Sequence, residues 1–179
     1  MKPWLRQIVY FYSNGNVSFF QSIFSYNGGA CVVMKGDGCV AIASDLRFGK
    51  ELQTVTCDFA KAFQMDPHLW MGLTGLATDI QTVQQKMEFR KNMYELTENR
   101  KITPKTYAAI LSNMLYERRF GPFFVNPVVA GIDSKTGEPY ISSMDVIGCM
   151  TEPPDFAVAG TCEEQLFGEY IYLGSSSWL

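Results

Sequence analysis

One histidine and five cysteines set narrow limits on the chemistry open to this chain of 179 residues. His68 follows Pro67 in a turn-like stretch, so it reads as a surface residue. A lone histidine argues against a Ser/His/Asp triad but leaves open hydrolysis that uses another base. Cys31, Cys39, Cys57, Cys149 and Cys162 are odd in number, and no two stand at a Cys-x-x-Cys spacing. That argues against a disulfide framework and a zinc site and points to buried free thiols in a reducing compartment. There is no glycine-rich phosphate loop, no metal-ligand spacing and no cofactor motif. The net charge of −3 offers no concentrated basic face for nucleic acid. The methionines and phenylalanines read as core and interface material.

The elements that would position any site fit one domain of ordinary globular composition. No apolar run is long enough to span a bilayer. Near the start, Lys2 and Arg6 precede an apolar patch from Ile8 to Tyr12, which Asn14-Gly15-Asn16 interrupts. The absence of a continuous apolar core and of a small-residue cleavage site argues against a signal peptide. A removable propeptide or an over-extended gene model is expected instead. Ala30 to Lys35 and Cys39 to Ser44 form a hairpin through Gly36-Asp37-Gly38. Thr54 to Cys57, Ala62 to Met65 and Leu69 to Thr74 continue as strands. Thr78-Asp79-Ile80-Gln81 has the form of a capping box, so a helix is expected from Asp79 to Leu96. A second begins with Thr103 as cap and Pro104 at its first position. Tyr107, Ile110, Leu111, Met114 and Leu115 line one face, Arg118 and Arg119 fill its last turn, and Gly121-Pro122 stops it. Pro127 to Ile132 and Pro139 to Met144 flank the loop Asp133 to Gly137 as a second hairpin. Asp145 to Cys149 and Phe156 to Gly160 follow as strands, and Glu163 to Tyr172 as a third helix. Hairpins with helices gathered between them predict an α+β fold rather than a parallel sheet.

Several stretches resemble one family closely. Ser25-Tyr-Asn-Gly-Gly-Ala30, Cys39-Val-Ala-Ile-Ala-Ser-Asp45-Leu-Arg47-Phe-Gly49 and Thr56-Cys-Asp58-Phe59-Ala-Lys61 are similar to the opening of proteasome beta-type subunits. Gly75-Leu-Ala-Thr-Asp79-Ile-Gln-Thr82-Val, Leu115-Tyr-Glu-Arg-Arg-Phe-Gly-Pro122 and Gly160-Thr-Cys162 continue the match. It runs from about residue 21 to about residue 168. Residues 1–20 are expected to be an extra, disordered N-terminal segment, 21–168 the beta-type domain and 169–179 a divergent tail.

The resemblance implies the N-terminal nucleophile hydrolase fold, two antiparallel sheets face to face between helical layers. In active members a threonine freed by self-cleavage attacks the peptide carbonyl, with its own amine as base. A lysine and an aspartate tune it. Carried over, Asp45 takes the aspartate position, Lys61 the lysine, Gly75 the oxyanion-hole glycine and Gly29 the nucleophile position. Glycine cannot attack. No threonine precedes Thr54, Ser25 lies four residues too early, and Cys31 lies two too late, roughly 6.6 Å along a strand. Asp45 and Lys61 are therefore expected as remnants, a turn residue beside Arg47 and either a surface lysine or half of a buried ion pair.

The implied role is a non-catalytic subunit supporting ATP- and ubiquitin-dependent degradation by its neighbours. Its expected partners are the other subunits of a seven-membered beta ring and the alpha ring, in cytoplasm and nucleus, without nucleic acid, membrane or cofactor. The alternatives are an active threonine peptidase, favoured by Asp45, Lys61 and Gly75, and a stand-alone protein using the apolar N-terminus at a membrane. The family continues beyond residue 168 through helices and strands not found here, including an aspartate and a serine of the active site. A shortened chain with open sheet edges is expected to be poorly soluble and to stay out of the ring.

Overall fold

The computed structural model describes residues 12–13, 16–17 and 23–168. The strands β1 (Tyr12–Ser13) and β2 (Asn16–Val17) pair antiparallel. The rest of the expected 1–20 segment and the whole expected 169–179 tail lie outside the described residues.

A short helix, α1 (Ile23–Asn27), leads into β3 (Ala30–Lys35) and β4 (Val40–Ser44). Gly38, at φ +64°, supplies the left-handed turn that the Gly-Asp-Gly sequence predicts, and Gly36 N–H closes it on the Cys39 carbonyl at 2.9 Å. The hairpin β5 (Phe48–Lys50) and β6 (Gln53–Thr56) follows. Then come β7 (Ala62–Asp66), β8 (Leu69–Gly75), the long helix α2 (Ala77–Glu98) and α3 (Pro104–Glu117). The chain ends its described part with β9 (Val125–Ile132), β10 (Pro139–Met144), β11 (Met150–Thr151) and β12 (Phe156–Gly160).

Five strands form one sheet in the order β11-β10-β9-β8-β7, and three form another in the order β12-β3-β4. Every described strand pair is antiparallel. The α+β class expected from the hairpins is the one observed.

Period-two alternation divides the core between two faces of the larger sheet. Leu69, Met71 and Leu73 of β8 and Val125 and Val129 of β9 pack with Ile80, Val83 and Met87 of α2 and Tyr107, Leu111 and Leu115 of α3. Val128 and Ala130 of β9, with Ile141 of β10, instead meet Cys31 and Val33 of β3 and Ala157 and Ala159 of β12. The layers therefore run helices, five-stranded sheet, three-stranded sheet. A side chain at Gly72 would run into the Cys31 sulfur and Val128, so this glycine sets how closely the two sheets approach.

Three local expectations need correction, and one strand was not expected. Thr78 caps nothing: α2 starts at Ala77, two residues before the expected Asp79, and its cap position, Leu76, makes no side-chain bond. The turn there is closed by other groups, described below. Asp145 to Cys149 is a turn rather than a strand, because the Asp145 carboxylate accepts from the backbone N–H of Ile147 and Cys149 at 3.0 and 2.7 Å. Arg118 and Arg119 lie past the end of α3. The β5 strand, short and interrupted by a bulge after Phe48, was not foreseen. Of the expected third helix, residues 163–168 are helical and the remainder lies outside the described residues.

Candidate functional site

The end of β4, the start of β7 and the start of β3 converge on one point. Lys61 sits just before β7 and is 1% exposed, although lysine is among the residues least often buried. Its ammonium lies 3.0 Å from Asp45 Oδ2, 2.7 Å from the Arg47 carbonyl and 3.3 Å from the Asp45 carbonyl. Those three acceptors match the three N–H donors of an ammonium. The surface-lysine alternative is thereby excluded. Asp45 is more than a turn residue. Its Oδ1 accepts the Ala30 N–H at 2.8 Å and its Oδ2 the Arg47 N–H at 3.1 Å. One carboxylate thus ties β3, the turn after β4 and the buried lysine together.

Gly29 lies against this pair. It adopts φ +145°, and a Cβ built on it would stand 2.8 Å from Lys61 Cε, 3.0 Å from Lys61 Cδ and 3.6 Å from Asp45 Oδ1. The structure therefore brings Gly29, Asp45 and Lys61 into one cluster. Gly75 ends β8 at φ +125°, where any side chain would meet the Phe124 carbonyl, and α2 begins two residues later.

Two residues that sequence reasoning missed complete the cluster. Asn27 is 8% exposed, and its side chain donates to the Gly49 carbonyl at 2.9 Å while accepting the Ala77 N–H at 2.9 Å. It thus joins the segment before Gly29 to the one after Gly75 and satisfies a free N–H at the start of α2. Thr161 donates its backbone N–H to the Gly29 carbonyl at 2.9 Å. The only hint was composition: a small polar residue beside glycine in each case, a pattern common to any turn. Asp79, in the first turn of α2, accepts the Phe124 N–H at 2.9 Å and so holds the start of the strand facing Gly75.

Neither substitute nucleophile is placed for attack. Ser25 lies on α1, upstream of the cluster. The Cys31 thiol faces the space between the sheets, fully buried, and burial pushes its pKa up to about 12, with the Asp45 charge adding to the rise. A thiol must ionise to be a good nucleophile, and this one stays protonated at neutral pH. The cysteines depart from the expectation of buried thiols: Cys39, Cys57 and Cys149 are exposed, and Cys162 is intermediate. Among the described residues no cluster of three or more His, Cys, Asp or Glu side chains could hold a metal ion.

Comparison with known proteins bears on the same stretch. The family model described as "Proteasome subunit" matches residues 25–171. The chain is 57% identical to proteasome subunit beta type-3 of Drosophila melanogaster over 147 residues, which cover 82% of this chain and 72% of that one. It is 51% identical to the subunit of the same description from Saccharomyces cerevisiae over 144 residues, covering 80% and 70% of the two chains. The corresponding protein of Oryza sativa subsp. japonica is 50% identical over 147 residues, covering 82% and 72%.

Proposed function

The chain belongs to the proteasome subunit family, and on that premise we propose that it is a non-catalytic subunit of the beta ring. A member of this family assembles with other proteasome subunits in the core particle. The part proposed for this one is positional. It fills a place in a seven-membered ring, packs against neighbouring beta subunits and the alpha ring, and supports the subunits that cut proteins. The corresponding location is cytoplasm and nucleus. The beta-type domain is taken as residues 21–168, and the complete fold as the sandwich of two sheets between helical layers that the family implies.

The observation that carries the absence of catalysis is Gly29 itself. It stands where the resemblance puts the nucleophile, with no hydroxyl, beside a lysine whose donors already have acceptors. The segment before it supports the same reading. An attacking threonine needs a free amine at its own position, yet α1 is built into the fold through the buried Asn27. Asp45 and Lys61 then act as a structural ion pair and Gly75 as a close-packed backbone position. An active threonine peptidase is disfavoured by Gly29 and by the buried, protonated Cys31.

Core particles purified from the source test this directly. Mass spectrometry should find the peptide Thr106–Arg118 in the particle, together with a peptide that crosses an intact Gly28–Gly29 bond. A threonine-directed epoxyketone should label other subunits and leave this chain unmodified. A chain beginning at residue 29, or one carrying the epoxyketone, would overturn the non-catalytic assignment. Absence of the chain from particles, while it is present elsewhere in the cell, would overturn the ring assignment.

A further inference from the structure

Helix α1 is anchored by a polar residue. Its five residues are too few to make a stable helix alone. Ile23 and Tyr26 stay 46% and 37% exposed, and the one buried residue of α1 is Asn27. Phe24 meets the Phe124 ring edge-on at 5.9 Å, but the buried hold is polar. The Asn27 carboxamide spans two separate segments. It donates to the Gly49 carbonyl of β5 and accepts the N–H of Ala77, where α2 begins, each at 2.9 Å. One residue earlier, the Tyr26 carbonyl accepts the Glu51 N–H at 2.7 Å. Gly49, in β5, and Glu51, just past it, thus turn a carbonyl and an N–H to the same side. The other edge of β5 is taken by β6. So α1 covers the open edge of β5 and bridges it to the start of α2. A carboxamide carries the same acceptor and N–H donors as a peptide unit. Asn27 therefore fills a place for one peptide unit between two backbone neighbours, as an added strand does at a sheet edge.

We propose that α1 is a built-in plug. Locked by the Asn27 carboxamide, it closes a cleft between the open edge of β5 and the start of α2 to any extended peptide. The groups that α1 satisfies there are backbone groups, so the excluded guest is recognised by its peptide units rather than by particular side chains. Displacing α1 exposes the Gly49 carbonyl and the Glu51 and Ala77 N–H groups, and an extended peptide satisfies them again. Because α1 has a single buried side chain, one substitution is enough to open the cleft. The inference rests on the reading that the chain stays uncut before residue 29. It adds that the uncut segment blocks a cleft, whatever residue stands at 29.

The experiment uses tagged full-length chains in core particles purified from cells: wild type, Asn27→Ala, Asn27→Asp and, as a control, Ile23→Ala. Asn27→Asp keeps the acceptor for Ala77 but sets a carboxylate against the Gly49 carbonyl. The probe is a short N-acetylated, C-amidated peptide of alanine and valine with one photoreactive diazirine side chain. It carries no electrophile before irradiation, so labelling reports binding alone. Adducts are read on the tagged chain by mass spectrometry. Wild type and Ile23→Ala should show background labelling only. Both Asn27 variants should be labelled severalfold more, at residues 48–52 and 75–78, and an excess of the same peptide without the diazirine should suppress it. A variant that stays out of particles is labelled as the isolated chain, beside isolated wild type. Background labelling of both Asn27 variants would reduce Asn27 to a structural bond and sink the plug. Wild type labelled as strongly as the variants would do the same, because the cleft would be open with α1 in place. Recovery of a wild-type chain that begins at residue 29 would instead remove the uncut reading, so the two failures are distinguishable.

Discussion

At Lys61 a single charge has been taken almost wholly out of water, and its stability depends on acceptors no more than 3.3 Å away. The pair with Asp45 is asymmetric, with side chains 2% and 36% exposed. Removing Asp45 strands a buried ammonium on two carbonyls, which costs about 3 kcal/mol for a pair of this kind. Removing the lysine charge while keeping its stem leaves Asp45 with solvent and two backbone donors, so Lys61→Met should cost less, roughly 1–3 kcal/mol. Pulse proteolysis across a urea series should rank Asp45→Ala below Lys61→Met, and the reverse order would refute the asymmetry. Cys31 gives a second prediction at the same scale. Its thiol is held up to about 12 by burial, and burial also raises Tyr140 to about 12 and Tyr107 further. Free cysteine and tyrosine ionise near 8.5 and about 10. As pH rises, the unfolded chain therefore loses these protons before the folded one does. Stability from these groups is fully present below about pH 8.5 and declines from there toward pH 12. A urea midpoint that falls between pH 8 and 11, with Cys31 unreactive to iodoacetamide at pH 7.5 while Cys39, Cys57 and Cys149 react, is the expected result.

The two helix starts show how differently elements with similar sequences can be fixed. Thr103 Oγ1 accepts the Thr106 N–H at 3.3 Å, and Pro104 occupies the first helical position, as its sequence predicts. That signal is local, carried by residues within one turn, and so was legible. At α2 the equally promising Thr78 is inside the helix, and the first N–H is taken by Asn27, fifty residues away in sequence. A contact of that separation leaves no local pattern. The same division explains the rest of the fold and site. The two glycine-bearing hairpins and the amphipathic α3 could be read because turn chemistry and periodicity act over a few residues. Of the β5–β6 hairpin only the second strand could be read, since β5 is three residues long and bulged. Asp45, Lys61 and Gly29 were legible only through a family resemblance, because nothing in their separate neighbourhoods says that they meet. The helix starts can be compared by substitution. Thr103→Ala should cost about 1 kcal/mol, the usual loss for a capping hydroxyl. Asn27→Ala, which leaves buried backbone groups unpaired at both Gly49 and Ala77, should cost more, about 1–3 kcal/mol. Thr78→Ala should be close to neutral. If Thr78→Ala matched Asn27→Ala in thermal unfolding, α2 would be capped locally after all.

Over the whole molecule the apolar surface is unevenly spread. Phe89, Met93 and Leu96 are 65%, 48% and 79% exposed, and their spacing of four and three residues puts them on one face of α2. Tyr116 and Phe120 are 55% and 91% exposed at the end of α3. Arg90 pairs with Glu117 at 2.8 Å, bringing that end of α3 beside the stretch of α2 that carries Phe89. The Arg119 guanidinium covers the Tyr116 and Phe120 rings at 4.5 and 4.6 Å from their centres, but it shields only part of them. Among the described residues the outer strands β4, β12, β7 and β11 leave sheet edges as well. Scattered exposed apolar residues need no explanation, whereas a cluster on packed helices drives association when no partner covers it. A subunit that works inside a particle meets that partner, and the same chain purified alone does not. The isolated chain should therefore self-associate at micromolar concentration, measured by light scattering or sedimentation. Leu96→Glu with Phe120→Ser should suppress that association without lowering the melting temperature, since both side chains are exposed and outside the core. Edge pairing predicts otherwise: the double variant would aggregate as before, and charges placed on β4 or β11 would be the ones to help. The comparison thus separates a helix surface held ready for a neighbour from exposed strand edges as the source of that association.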